Sequence, residues 1–133
     1  MKIYVTYCSA HKNESLKNTG VEVTPDILYT SNRIRPFMET CKKKGVQWAI
    51  FSDLYGIWLA EEKNAWYEKS PDDVTELEFQ TLLTNFNNRL QEYDEIYFYR
   101  PSPIYFQPLY RRLLNETKLR ERVTLISSVS DIK

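Results

Sequence analysis

The feature that most constrains the fold is a regular alternation between short apolar runs and longer amphipathic stretches. The apolar runs are rich in β-branched and aromatic residues, which predicts strands at 2–7, 46–51, 96–99 and 123–126. The stretches between them carry apolar residues at helical spacing, which predicts helices over about 31–44, 72–93 and 107–116. This order predicts an α/β fold, a three-layer αβα sandwich with a mainly parallel sheet of about four strands.

The length and the charge of the chain limit the kinds of protein it can be. The 133 residues, 42 % of them apolar, are enough for one core, so we expect a single domain over 1–133. Acidic and basic residues balance at 18 each, which argues against a bulk electrostatic grip on nucleic acid. We expect no membrane span and no signal peptide. Cys8 and Cys41 make no disulfide framework, so a reducing, cytoplasmic location is expected.

Two connections, 8–30 and 52–73, are long for a compact domain, and such loops are usually functional or mobile. Each begins with polar residues directly after a predicted strand. Because the carboxyl ends of parallel strands meet at one edge of a sheet, these residues are expected to share a ligand site there. The last five residues are expected to form a frayed end. The residues that the parallel arrangement collects at this edge include Cys8, Ser9, Lys12, Ser52, Asp53, Tyr55, Gly56 and Arg100.

Three short motifs support this interpretation: C-S-x-x-K after the first strand, L-Y-T-S before the first helix, and W-x-I-x-S-x-x-Y-G-I around the second strand. Together they resemble an uncharacterised domain family that is distantly similar to the YaaA peroxide-stress proteins. Such domains occur beside tRNA-guanine transglycosylase-like and deazaguanine modification proteins. Tyr67 matches a tyrosine that follows Y-G in that family. The chain departs from the pattern at Asp53 and Ala10, where the family often has basic residues.

The resemblance covers about residues 3–70. It implies an αβα fold and a connection to nucleotides or nucleic acids, without a settled reaction.

Cys8 and Asp53 are the predicted catalytic residues. Cys8 lies where a strand meets a polar loop and could act as a nucleophile if a neighbouring base or cation activates it. The alternative is a buried cysteine that acts as a small hydrophobic residue. Asp53 is the carboxylate at the strand ends and therefore the acid/base candidate. Cys8 and His11 look like half of a zinc site, but the potential ligands end at three with Cys41, so no metal is predicted.

The predicted ligand-binding residues divide by chemistry. Lys12 could hold a phosphate or carboxylate beside the Ser9 and Ser52 hydroxyls, and the alternative is a solvated surface lysine. Gly56 is expected to supply a special backbone angle or a close approach, and Tyr55 to stack on a planar ligand or donate its hydroxyl. The aromatic residues Trp58, Trp66 and Tyr67 could complete a base-binding wall, or pack as a lid. Arg100 is the last predicted ligand-binding residue.

Two functional hypotheses follow. The first is a protein that handles nucleotides or nucleobases in nucleic-acid modification or damage response, with glycosidic-bond or base-exchange chemistry if it is an enzyme. The second is a non-catalytic binding or scaffold module that partners a larger modification enzyme. Neither requires a bound cofactor, since no glycine-rich dinucleotide or triphosphate motif follows a predicted strand.

Overall fold

The computed structural model describes residues 1–104 and 106–133, which form five strands and four α-helices in an α/β arrangement. The helices and strands are β1 (Lys2–Tyr7), α1 (Pro25–Leu28), α2 (Ile34–Lys44), β2 (Trp48–Ser52), β3 (Gly56–Leu59), α3 (Glu76–Leu90), β4 (Glu95–Tyr99), α4 (Pro108–Glu116) and β5 (Val123–Ile126).

The strands form one mixed sheet in the order β3-β2-β1-β4-β5. The central strand β1 runs parallel to both β2 and β4, and β4 runs parallel to β5. In this register Tyr7 lies opposite Phe51, and Thr6 lies opposite Tyr99. The predicted α/β class and the mainly parallel pairing are therefore confirmed, and the carboxyl ends of β1, β2 and β4 meet at one edge.

The prediction that residues 52–73 form a polar connection is wrong in part. The chain turns sharply after β2 and returns as β3, which pairs antiparallel with β2 and brings Ile50 opposite Trp58. The strand has four residues, at the lower limit of what apolar patterning detects, and its pairing is stabilised by tertiary contacts with α3. The sheet consequently has one strand more than predicted.

Helix α2 ends at Lys44, where its sequence indicates, but it begins at Ile34, later than the predicted start near residue 31. Gly45 follows it in the left-handed conformation, and its N–H donates to the carbonyl groups of Cys41 and Lys42. This is the glycine stop that ends many helices. Ile34, Phe37, Met38 and Cys41 form the buried face of α2, as the helical spacing predicts.

Helix α3 begins later than predicted. Its start is a capping box in which Thr75 accepts a hydrogen bond from the N–H of Glu78, and the Glu78 carboxylate accepts one from the N–H of Thr75. The predicted start at Asp72 or Asp73 belongs instead to a separate 3-10 turn, Pro71–Asp73. The spacing in α4 predicts that Leu109, Leu113 and Leu114 point inward. Leu113 is buried and the other two are half-buried, and Tyr110 is buried as well.

Two aromatic residues of β2, Trp48 and Phe51, pack against different helices. Trp48 contacts Phe37 of α2 through an edge-to-face pair at 6.4 Å. Phe51 contacts Phe86 of α3 at 6.0 Å and Tyr110 of α4 at 6.1 Å. Successive side chains of a strand point to opposite faces of its sheet, so residues an odd number apart reach different sides.

The prediction of a frayed C-terminus is wrong. Ile132 is fully buried, and the backbone N–H of Lys133 donates to the hydroxyl of Tyr4 at 3.1 Å. Ser128 and Asp131 cap a short 3-10 turn there and satisfy its first N–H groups. A buried isoleucine outweighs the tendency of a chain end to fray because it removes apolar surface from water.

Candidate functional site

A cavity of about 610 Å³ lies beyond the carboxyl ends of β1 and β2. This volume falls within the range of roughly 300–1,000 Å³ typical of small-molecule sites. Its walls come from residues 7–14, from the start of α2, from the turn after β2, from residues 66–72 and from the start of α4. The cavity therefore lies at the sheet edge that the sequence predicts.

Asp53 lies in the turn after β2 and lines the cavity with only 3 % of its surface exposed. No group in the described ranges, 1–104 and 106–133, donates a hydrogen bond to its buried Oδ1. Burial raises the pKa of Asp53, against the effects of the nearby Cys8 thiol and the positive charge of Lys12. A buried carboxyl with too few donors and a raised pKa is equipped to exchange a proton with, or accept a hydrogen bond from, a ligand.

Cys8 follows β1 and also lines the cavity, with its Sγ 3.3 Å from the hydroxyl of Tyr110. Burial raises the pKa of the Cys8 thiol, and the negative charge of Asp53 raises it further. Both effects disfavour the thiolate, so Cys8 is a neutral thiol at neutral pH. A nucleophilic role would therefore require removal of its proton during the reaction.

Lys12 is buried, with 8 % of its surface exposed, so the alternative of a solvated surface lysine is wrong. It lines the cavity, and its Nζ lies 4.5 Å from the ring centroid of Tyr67 and 5.8 Å from that of Trp66. An antiparallel bridge between Lys12 and Tyr29 fixes its backbone. Aromatic faces attract the ammonium group and hold it in place without neutralising it.

Arg33 immediately precedes α2 and contributes a second cation to the cavity wall. Its guanidinium donates to Thr6 Oγ1 at 3.1 Å and to the carbonyl oxygens of Tyr7 and Cys8 at 2.8 and 2.9 Å. It also stacks on the Tyr7 ring at 3.7 Å. Burial lowers the pKa of Arg33 from its ordinary value, and nearby tyrosines and Cys8 oppose the shift. Arg33 thus holds the backbone that carries Cys8.

Tyr67 does not line the cavity but supports its wall. Its hydroxyl lies 2.6 Å from that of Tyr29, and its ring lies beneath the Lys12 ammonium. Trp66, its neighbour, does line the cavity and is half-buried. The two long connections are joined by an antiparallel bridge between Val23 and Asn64. Of the three predicted wall aromatics, Trp58 is fully buried, and its Nε1 donates to the carbonyl of Glu62.

The predicted residues Ser52, Tyr55 and Gly56 do not line the cavity. The Ser52 hydroxyl accepts hydrogen bonds from the N–H groups of Leu54 and Tyr55, at 3.1 and 3.0 Å, and so closes the turn into β3. The Tyr55 ring packs edge-to-face on Trp58 and Tyr67, and its hydroxyl donates to the carbonyl of Ala65.

Gly56 has a positive φ of 76°, and a Cβ there would overlap the side-chain amide of Asn85. The expected special angle and close approach are both confirmed, but the approaching group is part of the protein.

Arg100 also lies outside the cavity lining. Its backbone N–H donates to the carbonyl of Ile126 at 2.8 Å, which continues the pairing of β4 with β5. Its guanidinium carbon lies 5.5 Å from the ring centroid of Phe106, and its Nε is buried without a partner in the described part of the chain. Ser9 does line the cavity, where its hydroxyl accepts a hydrogen bond from the N–H of His11.

The residues from which a zinc site was considered do not form a cluster. Within residues 1–104 and 106–133, no group of three or more histidine, cysteine, aspartate and glutamate side chains could hold a metal ion. Cys41 belongs to the buried face of α2, and His11 is exposed.

The sequence interpretation missed Arg33 and Tyr110. A basic residue at the start of a helix is electrostatically unfavourable, and this was an available signal that Arg33 has another role. Tyr110 gave no comparable signal, because a tyrosine on the apolar face of a helix is ordinary core.

Comparison with protein-family models finds no match for this chain. Searches among curated proteins and among solved structures also find no significant similarity.

None of the helices in the described part of the chain is long and apolar enough to cross a membrane.

Proposed function

We propose that this protein binds a nucleotide or a nucleobase-like small molecule in the cavity and acts in nucleic-acid modification or damage response. The observation that carries the proposal is Asp53, a buried carboxyl that lines a cavity of suitable size and has, among the residues described, no donor for one of its oxygens. Nucleobases present planar edges with N–H donors that a carboxylate accepts. The half-buried ring of Trp66 lines the same cavity and offers apolar surface on which a planar base could stack.

We infer that the scaffold is a three-layer αβα sandwich. The contacts of Trp48 with α2 and of Phe51 with α3 and α4 support helices on opposite faces of the sheet. Right-handed crossovers from β1 to β2 and from the β2–β3 hairpin to β4 would place the helices in this way. In such folds ligands bind beyond the carboxyl ends of the strands, which is where the cavity lies.

The catalytic form of the proposal is glycosidic-bond or base-exchange chemistry. Asp53 is its acid/base residue: as the carboxylate it takes the proton of the Cys8 thiol, and it then gives this proton to the leaving base nitrogen. Cys8 is its nucleophile: its sulfur bonds to the sugar carbon as the carbon–nitrogen bond to the base breaks, and water or an incoming base then displaces the sulfur and returns the proton to it through Asp53.

The second candidate is binding without catalysis, as a module that partners a larger modification enzyme. The observation that favours it is the protonated state of Cys8, because burial and the Asp53 charge both oppose the thiolate that a nucleophile needs. A bound base would then be retained or presented to the partner rather than cleaved.

A reducing compartment suits both forms. Cys8 and Cys41 are free and buried, and Cys8 lies in the proposed site, where oxidation would alter the cavity. We therefore propose a cytoplasmic location.

The test begins with native mass spectrometry of freshly purified protein, followed by calorimetric titration with free bases and nucleosides. We expect one ligand per chain, and we expect Asp53→Asn to weaken its binding by about ten- to a hundredfold, the scale of a charged hydrogen bond. Asp73→Asn is the matched control, because Asp73 is exposed and does not line the cavity. Equal binding by wild type and Asp53→Asn would contradict the proposal.

Chromatography of the incubated nucleosides separates the two forms. Release of free base by wild type, but not by Asp53→Asn or Cys8→Ser, supports an enzyme. Binding without release supports the non-catalytic module.

A further inference from the structure

The cavity wall carries a buried lysine, Lys12, and a half-buried arginine, Arg33, and neither is paired with an acidic group in the described residues. In the described residues neither Lys12 nor Arg33 forms an ion pair, although other basic residues do. Lys12 is more than nine-tenths buried, and its Nζ rests on aromatic rings rather than on an anion. A buried charge without a counter-charge is costly, so residues that keep one usually have a reason to do so.

The other charged groups in the lining do not compensate this pair. Glu68 is paired with Lys17, and Lys69 is paired with Glu78. Glu14 and Asp72 are exposed and therefore hydrated. Asp53 is the buried acidic residue of the lining, and in the described residues it forms an ion pair with neither Lys12 nor Arg33. Two cations of the cavity wall are therefore free to pair with an anionic ligand.

The two cations lie on adjoining segments. The N–H of Thr30 donates to the carbonyl of His11, and Lys12 is bridged to Tyr29, so residues 11–13 run beside residues 28–30. Arg33 comes just after residues 28–30, and its guanidinium donates a hydrogen bond to the carbonyl of Cys8. Its guanidinium has N–H donors beyond those engaged with Thr6, Tyr7 and Cys8.

The Ser9 hydroxyl is a third potential donor to an anion, beside the Lys12 ammonium and the Arg33 guanidinium. Ser9 accepts a hydrogen bond from the N–H of His11, which leaves its hydroxyl proton available to another acceptor. An ammonium, a guanidinium and a hydroxyl are together well suited to bind phosphate oxygens. A phosphate monoester carries about −1.5 to −2 charge at pH 7, which two cations balance.

We propose that Lys12, Arg33 and Ser9 form a phosphate subsite, so that the ligand of this cavity is a nucleoside monophosphate or another phosphate monoester rather than a free base or nucleoside. The inference deepens the proposed function and rests on it for the nucleobase. It adds Arg33 to the site and commits to one phosphate group, because the cavity contributes a single pair of uncompensated cations among the residues described.

The experiment compares ligands that differ only in the phosphate. Isothermal titration calorimetry would be run with each nucleoside 5′-monophosphate, the corresponding nucleoside, ribose 5-phosphate and inorganic phosphate. We expect the preferred monophosphate to bind about ten- to a hundredfold more tightly than its nucleoside. That advantage should fall as salt is raised, whereas nucleoside binding should not change.

The variants separate phosphate binding from folding. Lys12→Met should remove most of the monophosphate advantage and leave nucleoside affinity within about twofold, because methionine retains a flexible apolar side chain next to Trp66 and Tyr67. Lys12→Arg keeps a positive charge and should retain part of the advantage. Lys63→Met is the matched control, since Lys63 is exposed and does not line the cavity. Circular dichroism would verify that each variant is folded, and Lys12→Gln replaces Lys12→Met if that variant is not.

The outcomes distinguish the phosphate subsite from the nucleobase function. Equal binding of nucleoside and monophosphate by wild type, or equal losses of both in Lys12→Met, overturns the phosphate subsite and leaves the nucleobase site standing. Lys12-dependent binding of ribose 5-phosphate or inorganic phosphate, with no preference for any base, supports the subsite and overturns the nucleobase function. Failure of all these ligands to bind overturns both.

Discussion

The segments that follow β1 and β2 start from the same kind of sequence and reach opposite structural roles. Both are polar strand exits at one edge of the sheet. After β1, Cys8, Ser9 and Lys12 face the cavity. At the end of β2, its last residue Ser52 and the first residue of β3, Gly56, reverse the chain, and Asp53 is the residue of this turn that lines the cavity. A polar strand exit therefore indicates a ligand site only where the protein does not already satisfy its polar groups.

Asp53 shows this distinction within a single turn. Its neighbour Ser52 accepts hydrogen bonds from the N–H groups of two following residues, whereas Asp53 Oδ1 has no donor in residues 1–104 and 106–133. Both side chains are buried, at 0 and 3 % exposure. An unsatisfied buried polar group destabilises the fold. The stability of the turn therefore explains Ser52 but not Asp53.

Among the variants that test the structural role of the turn after β2, Gly56→Ala should lose the most stability. We expect the free energy of unfolding to fall by about 3 kcal/mol, because alanine at a φ of 76° is strained and its Cβ would overlap the Asn85 amide. That amide accepts the hydrogen bond from the N–H of Ile57, so β3 would be disturbed as well. Urea denaturation measures the change.

Gly20→Ala is the matched control for that variant. Gly20 has a similar φ of 72°, but no atom of the described residues lies within 4 Å of the position its Cβ would take. We expect it to lose only about 1 kcal/mol, the cost of the left-handed conformation for a residue with a side chain. Equal losses in the two variants would show that the close approach of Asn85 to Gly56 does not matter.

The next effect is expected in Ser52→Ala. This change removes the acceptor for the N–H groups of Leu54 and Tyr55 and should cost about 2 kcal/mol. Ser9→Ala, the corresponding change in the first exit, should cost less than about 0.5 kcal/mol because Ser9 accepts one bond in an exposed setting. The reverse ranking in thermal or urea unfolding would contradict the comparison of the two exits.

Asp53→Asn, unlike the preceding variants, should raise the free energy of unfolding. Because the pKa of Asp53 is raised in the folded protein above its ordinary 3.8, this group favours folding most when it is protonated, and that contribution is lost as pH rises through the folded value. Asparagine does not titrate. We therefore expect the variant to be more stable than wild type by about 1 kcal/mol near pH 8, with a difference that shrinks as pH is lowered.

Denaturation measured across that pH range checks the sign, with Asp73→Asn as the exposed control. A variant less stable than wild type near pH 8 would show that the Asp53 carboxylate is already satisfied within the protein.

The sequence was a good guide to those parts of the fold that depend on local patterns. The bounds of β1 and β5 match the prediction, and the glycine stop of α2 is found at Gly45. What it did not reveal depends on tertiary contacts. Strand β3 is stable because β2 and α3 pack against it, and Ile132 is ordered because it fills the core. The local sequence predicts neither feature, because β3 is only four residues long and Ile132 lies at the end of the chain.

The candidate site was predictable only as far as topology determines it. A parallel sheet brings the ends of β1 and β2 together, and this correctly placed Cys8, Lys12 and Asp53 around one cavity. Topology does not determine which polar groups the protein uses for its own turns, and Ser52 was therefore misplaced. It also does not show that the Arg33 side chain reaches back across the end of β1.

The smallest effect is expected in Tyr55→Phe. The Tyr55 hydroxyl donates to the carbonyl of Ala65 at 3.0 Å, while its ring packs on Trp58 and Tyr67. Loss of one partly exposed hydrogen bond should lower the free energy of unfolding by about 0.5 kcal/mol, with ligand affinity unchanged because Tyr55 does not line the cavity. Tyr55→Leu, which removes the aromatic ring, should cost about 2 kcal/mol and weaken binding indirectly, since Tyr67 supports Lys12. If Tyr55→Phe instead abolished nucleotide binding without a change in stability, the hydroxyl would have to reach the ligand, and the second strand exit would belong to the site after all.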